Sequence, residues 1–339
     1  FKMTKIIYFD VQDDEKEFLI KNNEGKYDYH LTTNSLNNII EVKEEYKDAE
    51  IISVFTNSRV SNDVLAQFSN LRLIALRSVG FNHIDLDYCN AHNIVVENTP
   101  NYGNKSVAEF AIGLLLDVCR KITKSYIDYK EMHVEPQALI GQELGGKTVG
   151  IVGLGAIGSE FARLAYGFDM NILGYDHSQK QELVENYRIK YVDFDTLLKE
   201  SDFISLHAPL TKDNRHMFNE ESFKKMKNSA VLINTARGEL IETSALFNAI
   251  SKKEIAGAGL DVLESEETIS DPDYLIDINR LNECALKQTI LNTRLQQLPN
   301  VIITPHIAYN TKEAINRILN TTMTNIAAFL DGVVENNVN

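Results

Sequence analysis

The chain has 339 residues, 44% of them apolar, enough for two compact domains and too many for one ordinary hydrophobic core. Its 48 acidic against 34 basic side chains leave a net charge of −14, a field that repels phosphate backbones and anionic lipid and so argues against nucleic acid or a membrane surface as partner. Three cysteines (Cys89, Cys119, Cys284), none at metal-ligand spacing from another, provide neither a disulfide framework nor a zinc set and suit a reducing compartment. The longest apolar run, residues 107–119, is broken by Glu109 and Asp117, and the N-terminus lacks the apolar stretch of a signal peptide, so a cytoplasmic chain is expected. Met3 is read as the native start, with Phe1 and Lys2 set aside.

Runs rich in Ile, Val and aromatics alternate with helical patterns, as in parallel βα units covered on both faces. Strands are expected at residues 5–9, 50–55, 72–77 and 93–97, then one long helix over 105–130. Its apolar Val107, Phe110, Ala111, Leu114, Leu115 and Val118 recur at helical spacing. A loop over 139–146 with three glycines precedes further strands at 148–152, 171–175, 203–207, 230–234, 255–260 and 301–304. A helix over 311–331 closes the chain and is assigned to the first domain. The expected division is therefore 1–101 with 302–339, and 102–301.

The strongest local signal is Gly153-Leu154-Gly155-Ala156-Ile157-Gly158, placed where an apolar strand turns into an amphipathic helix. Glycines there permit a tight turn and close approach of backbone to a pyrophosphate, and the helix N-terminus supplies free N–H groups. Asp176 ends the next strand, 18 residues beyond Gly158, where a carboxylate accepts hydrogen bonds from an adenosine ribose and disfavours a 2′-phosphate. This favours NAD over NADP, with His177 and Lys180 leaving some NADP use open. Three further constellations lie at strand ends: Asn234-Thr235-Ala236-Arg237-Gly238, whose arginine has a donor fork suited to a carboxylate; Gly259 through Glu266, rich in acids; and Thr304-Pro305-His306-Ile307-Ala308-Tyr309. A histidine beside an acid on a neighbouring strand end can serve as general acid and base. No metal site is expected.

Together with His207-Ala208-Pro209-Leu210, these motifs resemble, in order and over essentially the whole chain, the D-isomer-specific 2-hydroxyacid dehydrogenases. The resemblance implies an α/β chain of two doubly wound parallel-sheet domains, a Rossmann-type NAD-binding domain and a flavodoxin-like substrate domain, closing over NAD and substrate. It implies that Arg237 binds the substrate carboxylate and keto oxygen, that His306 exchanges a proton with that oxygen, and that Glu266 raises the pKa of His306. The 29-residue interval from Arg237 selects Glu266 over Glu264 and Glu267.

By the same resemblance Gly153, Gly155, Ala156, Ile157, Gly158, Asp176, His207, Ala208, Pro209, Thr235, Ala236 and Asp261 surround the cofactor. Val79 and Gly80 hold the carboxylate through backbone N–H groups, with Tyr102, Phe55 and Tyr309 as pocket candidates. Glu266 is followed by Glu267-Thr268 without the proline usual in phosphoglycerate and glycerate enzymes, and His306 to Tyr309 is similar to the D-lactate and D-2-hydroxyisocaproate branch. Reduction of a 2-keto acid, pyruvate foremost, by a homodimer is the expectation, with branched or aromatic acids as the alternative. Relatives that act as NAD(H)-binding corepressors supply a more remote reading. Two departures stand out: 39 residues separate Glu266 from His306, enough for an extra surface helix or a lid, and Asn214 occupies a position usually threonine. The remaining histidines, His216 among them, are read as surface or packing residues.

Overall fold

The computed structural model describes residues 3–36, 41–56, 58–266 and 283–339, so Phe1, Lys2 and residues 267–282 lie outside the described residues. Short apolar runs with both faces buried make two all-parallel sheets. The first unit, residues 1–102 and 310–339, contains β1 (Lys5–Tyr8), β2 (Asp28–Leu31), β3 (Ile51–Val54), β4 (Leu73–Leu76) and β5 (Val95–Glu97) in the order β2-β1-β3-β4-β5. This is the flavodoxin-like doubly wound order. The C-terminal helix Lys312–Leu330 buries Leu319 and Ile326 among Ile6, Tyr8 and Leu73, which is why the last residues of the chain belong to this unit.

The second unit, residues 103–309, contains β6 (Thr148–Val152), β7 (Asn171–Tyr175), β8 (Lys190–Tyr191), β9 (Phe203–Leu206), β10 (Val231–Asn234), β11 (Gly257–Leu260) and β12 (Val301–Ile303). Their order, β12-β11-β10-β9-β6-β7-β8, is the Rossmann order with one added strand. The sheet reverses direction of growth between β6 and β9, and such a switch point opens a crevice beyond the strand C-termini.

Three features differ from the sequence expectation, each for a physical reason. β2 and β8, each at a sheet edge, are absent from it because neither Asp28–Leu31, half-buried throughout, nor the two-residue β8 carries an apolar run. The helix expected over 105–130 is two, Asn104–Arg120 and Ile122–Lys130. Lys121 takes the left-handed conformation at φ 55°, and Asp117 accepts Thr123 N at 2.7 Å and Thr123 Oγ1 at 2.6 Å, holding the second helix at an angle of its own. β12 pairs with β11, so the chain returns to the first unit at Asn310 rather than at 302. The extra helix expected in the long segment after Glu266 is present as Glu283–Gln296, with Leu295 fully buried against the second unit's core. No helix among the described residues is long and apolar enough to cross a membrane.

Candidate active site

At the end of β6 the chain turns at Gly153, whose φ of 89° suits glycine alone. A methyl on Gly153 would sit 2.6 Å from Ala208 N, and one on Gly158 would sit 1.9 Å from Gly153 O. Glycine at these two positions is thus required by packing. Gly155 differs: a methyl there meets nothing, so its open face is free for a ligand. Gly155 caps the helix Ala156–Gly167 without a side chain, and the first N–H groups of that helix find no acceptor among the described residues. Asp176 accepts Leu154 N at 2.6 Å and Ser178 N at 2.9 Å, which fixes the carboxylate beside the turn with lone pairs to spare for ribose hydroxyls.

Lys180 is folded back onto Leu154 O at 2.7 Å, which spends its ammonium on the protein. At the adjoining strand ends His207 Nδ1 and Thr235 Oγ1 are buried without a partner, as expected of polar atoms that meet a ligand. The His207 ring packs on Phe161, and burial pushes its pKa down to about 3, so it stays neutral. Asn214 spends its amide on Thr211 N and Pro209 O, both at 2.7 Å, bracing the His207–Leu210 loop. The donor-rich turn, the open face and the acid together fit NAD. Gly155→Ala is expected to leave Tm within a degree or two and weaken NADH binding more than about tenfold, whereas Gly158→Ala is expected to cost several degrees through overpacking; calorimetry and fluorescence titration check both.

Beyond β12, His306 also adopts a left-handed conformation, φ 54°, in a turn held by Asp261. The Asp261 carboxylate, 1% exposed, accepts Thr304 Oγ1 at 2.6 Å, Ile307 N at 3.0 Å and Ala308 N at 2.8 Å, while its carbonyl accepts His306 N at 2.9 Å. One oxygen keeps a free lone pair for a carboxamide. With its backbone fixed, His306 reaches Glu266 through Nδ1 at 2.6 Å, leaving Nε2 for substrate. Desolvation opposes the imidazolium, but the hydrogen bond and charge of Glu266, helped by Asp261, overcome it and the pressure of Arg237, so the pKa of His306 is raised. The Arg237 side chain, half-buried, accompanies an Asn234 that bonds Ala236 N at 3.0 Å and Arg237 O at 2.8 Å, making the turn rigid. Arg237, Glu266, His306 and Asp261 all follow C-terminal ends of β10, β11 and β12, in the second unit with the glycine turn.

The other candidates belong elsewhere. Val79, Gly80, Phe55 and Tyr102 are in the first unit, and Tyr309 ends the second. Val79 and Gly80 lend their carbonyls to Asn98 Nδ2 and Ser78 Oγ, and their own N–H groups meet no acceptor among the described residues. Phe55 N donates to Asp10 at 3.3 Å, Tyr102 O accepts Arg317 Nε at 2.7 Å, and both rings are half-buried, as is that of Tyr309. Sequence reasoning missed Arg77 as a brace: fully buried, it donates to Phe9 O at 2.6 Å and Asp10 O at 3.1 Å under the Ser78–Phe81 loop. Nor does it disclose the partner of His216, whose Nε2 lies 2.6 Å from Glu264 Oε1. No spacing signals that pair, because 48 residues separate its members.

Residues 112–308 match the family model described as "D-isomer specific 2-hydroxyacid dehydrogenase, NAD binding domain". A glyoxylate reductase of Thermococcus litoralis is 37% identical over 302 residues, 87% of this chain and 85% of the relative; a hydroxypyruvate reductase of Thermotoga maritima is 37% identical over 289 residues, 85% of each. Among solved structures, the D-lactate dehydrogenase of Aquifex aeolicus complexed with NAD and lactic acid superposes with TM-score 0.83 at 35% identity, covering 96% of both chains. The apo-structure of D-lactate dehydrogenase from Escherichia coli superposes with TM-score 0.84 at 30% identity, covering 99% of this chain and all of the other. The chain belongs to the D-isomer-specific 2-hydroxyacid dehydrogenases, an NAD-dependent oxidoreductase with that family's NAD-binding domain and two-sheet fold.

Proposed function

We propose that this dehydrogenase reduces pyruvate to D-lactate, with His306 as the proton donor. The observation that carries the reading is the 2.6 Å pair between His306 Nδ1 and Glu266, beside Arg237 at the strand ends of a sheet whose glycine turn fits NAD. Bound NADH supplies the hydride that reduces the keto carbon. The protein supplies everything else. Arg237, always charged, takes the substrate carboxylate and keto oxygen on its donor fork and draws electron density from the carbon. His306, kept as imidazolium by Glu266, gives the proton on Nε2 to the oxygen as it becomes an alkoxide. Its raised pKa enlarges the share of the donor form relative to an ordinary histidine.

Pyruvate is favoured because D-lactate dehydrogenases recur among the solved structures that superpose on the whole chain. A second reading, glyoxylate or hydroxypyruvate as substrate, is favoured by two curated relatives at 37% identity. A solved D-2-hydroxyisocaproate dehydrogenase, TM-score 0.84 at 28% identity, keeps larger acids in view. The decay of NADH absorbance with pyruvate, glyoxylate, hydroxypyruvate, 2-ketoisocaproate and phenylpyruvate decides among these. The expected result is the highest kcat/KM for pyruvate. A preference for another acid transfers the assignment to it, and NADH binding with no turnover would leave a corepressor-like binding role.

We further infer a cytoplasmic homodimer. Cys89 and Cys119 are buried free thiols, consistent with a reducing compartment. The helix Ile122–Lys130 buries none of its residues and exposes Ile122, Tyr126, Ile127 and Tyr129, an apolar face that a second copy of this chain would cover. Sedimentation equilibrium is expected to return twice the 38.3 kDa chain mass.

A further inference from the structure

Among the described residues of the second unit not assigned above, the most heavily bonded carboxylate is Glu264, two positions before Glu266. It is 8% exposed, and it accepts Thr243 N at 2.9 Å, Thr243 Oγ1 at 2.7 Å and His216 Nε2 at 2.6 Å, with Arg215 at 3.5 Å completing the charge balance. Thr243 opens the nine-residue helix Thr243–Ser251, so the carboxylate also caps the positive end of a helix dipole. Its backbone carbonyl is held as well, by Asn292 Nδ2 at 2.9 Å from the helix Glu283–Gln296, whose Gln288 donates to Thr243 Oγ1 at 2.8 Å. His216 N in turn donates to Glu239 O at 2.8 Å, just past Gly238.

Two parts of the proposed machinery meet at this anchor. From Glu264 the chain passes through Ser265, in a left-handed conformation at φ 51°, and turns back so that the Glu266 carboxylate accepts Leu263 N at 3.3 Å and faces His306. Gly238, next to Arg237, packs so closely that a methyl on it would lie 2.0 Å from the Leu263 carbonyl carbon and 2.4 Å from Glu264 N. The turn carrying Arg237 therefore rests on the turn carrying Glu266, and Glu264 fastens both to the helix Thr243–Ser251 and to the Arg215–His216 segment. Such multiply bonded buried carboxylates lock geometry when every lone pair is satisfied.

Resting on the reading that Glu266 and Arg237 serve His306 and the keto acid, we propose that Glu264, gripped by Thr243 and His216, is a positioning residue that sets those two turns against each other. Neutral glutamine at this position keeps the size but presents an amide N–H₂ to a donor. Glu264→Gln is expected to lower kcat about 10²-fold, the scale of a misplacement near 1 Å. It is expected also to move the alkaline limb of the reduction rate to lower pH, because a displaced Glu266 no longer supports the His306 imidazolium. The charged groups acting on that imidazolium are Glu266, Asp261 and Arg237, and the groups in contact with Glu264 are Thr243, His216 and Arg215.

The NADH dissociation constant is expected to stay within about twofold, since the glycine turn is untouched. His216→Ala should lose about tenfold in kcat, the scale of one hydrogen bond to a charge, and His216→Gln, which returns a donor to the Nε2 position, should recover most of it. An unchanged kcat and pH limb in Glu264→Gln overturns the proposal even if its Tm falls, and so does an equal loss of NADH affinity, which would mean general loosening. Should Glu264→Gln not fold, the His216 pair decides, and wild-type kcat in both overturns it. His306→Gln is assayed alongside: turnover surviving in that protein would refute the underlying reading itself, and the proposal with it.

Discussion

Replacing His306 by glutamine is expected to lower kcat for pyruvate reduction by about 10³-fold, in the range that a positioned general acid contributes, while the NADH dissociation constant is unchanged. Glutamine keeps a polar side chain of similar reach and can still meet Glu266, so the turn held by Asp261 has no reason to move. What is lost is a transferable proton at Nε2. The wild-type pH profile follows from the sign of the pKa shift. His306 is raised above its ordinary value, and reduction uses the protonated form, so the rate is full below the raised pKa and falls as pH rises through it; oxidation of the hydroxy acid shows the opposite dependence. Glu266→Gln removes the hydrogen-bonded charge and is expected to move that limb downward together with kcat. Stopped-flow single turnovers across pH check this, and a limb in the same place in Glu266→Gln would refute the coupling.

Arg237→Lys is expected to reduce kcat/KM for the keto acid by about 10²-fold despite conserving charge, because two charge-assisted hydrogen bonds from a planar fork become one from a point charge, a difference of up to about 3 kcal/mol. The Asn234 brace and the close packing of Gly238 hold the backbone in place, so the loss belongs to the side chain. Arg237→Gln is the sharper companion. The Arg237 charge depresses the pKa of His306, so its removal is expected to move the alkaline limb of the residual rate upward, opposite to the effect of Glu266→Gln. Steady-state kinetics of the pair, with NADH affinity measured separately, test both the chemistry and the electrostatics. Equal activity of Arg237→Lys and wild type would remove Arg237 from substrate binding.

The amino-acid sequence by itself determined the alternation of strands and helices, the glycine turn with Asp176, and the residue types at the strand ends, because each is a local signal: an apolar run, a period of 3.6, a motif at fixed spacing. Ten strands, the edges β5 and β12 among them, were legible for that reason, and the edge strands β2 and β8 were not, because neither carries an apolar run. The break at Lys121 lay equally hidden, resting as it does on Asp117 reaching forward to Thr123 rather than on glycine or proline. Tertiary structure alone decided which of two acids two residues apart meets His306. Glu266 does so because Ser265 reverses the chain, while Glu264 is drawn the other way by Thr243 and His216, partners 21 and 48 residues distant. Sequence spacing named Glu266 through likeness to a family, and only folding shows the cause: hydrogen bonds across long separations act once the sheet has brought the strand ends together.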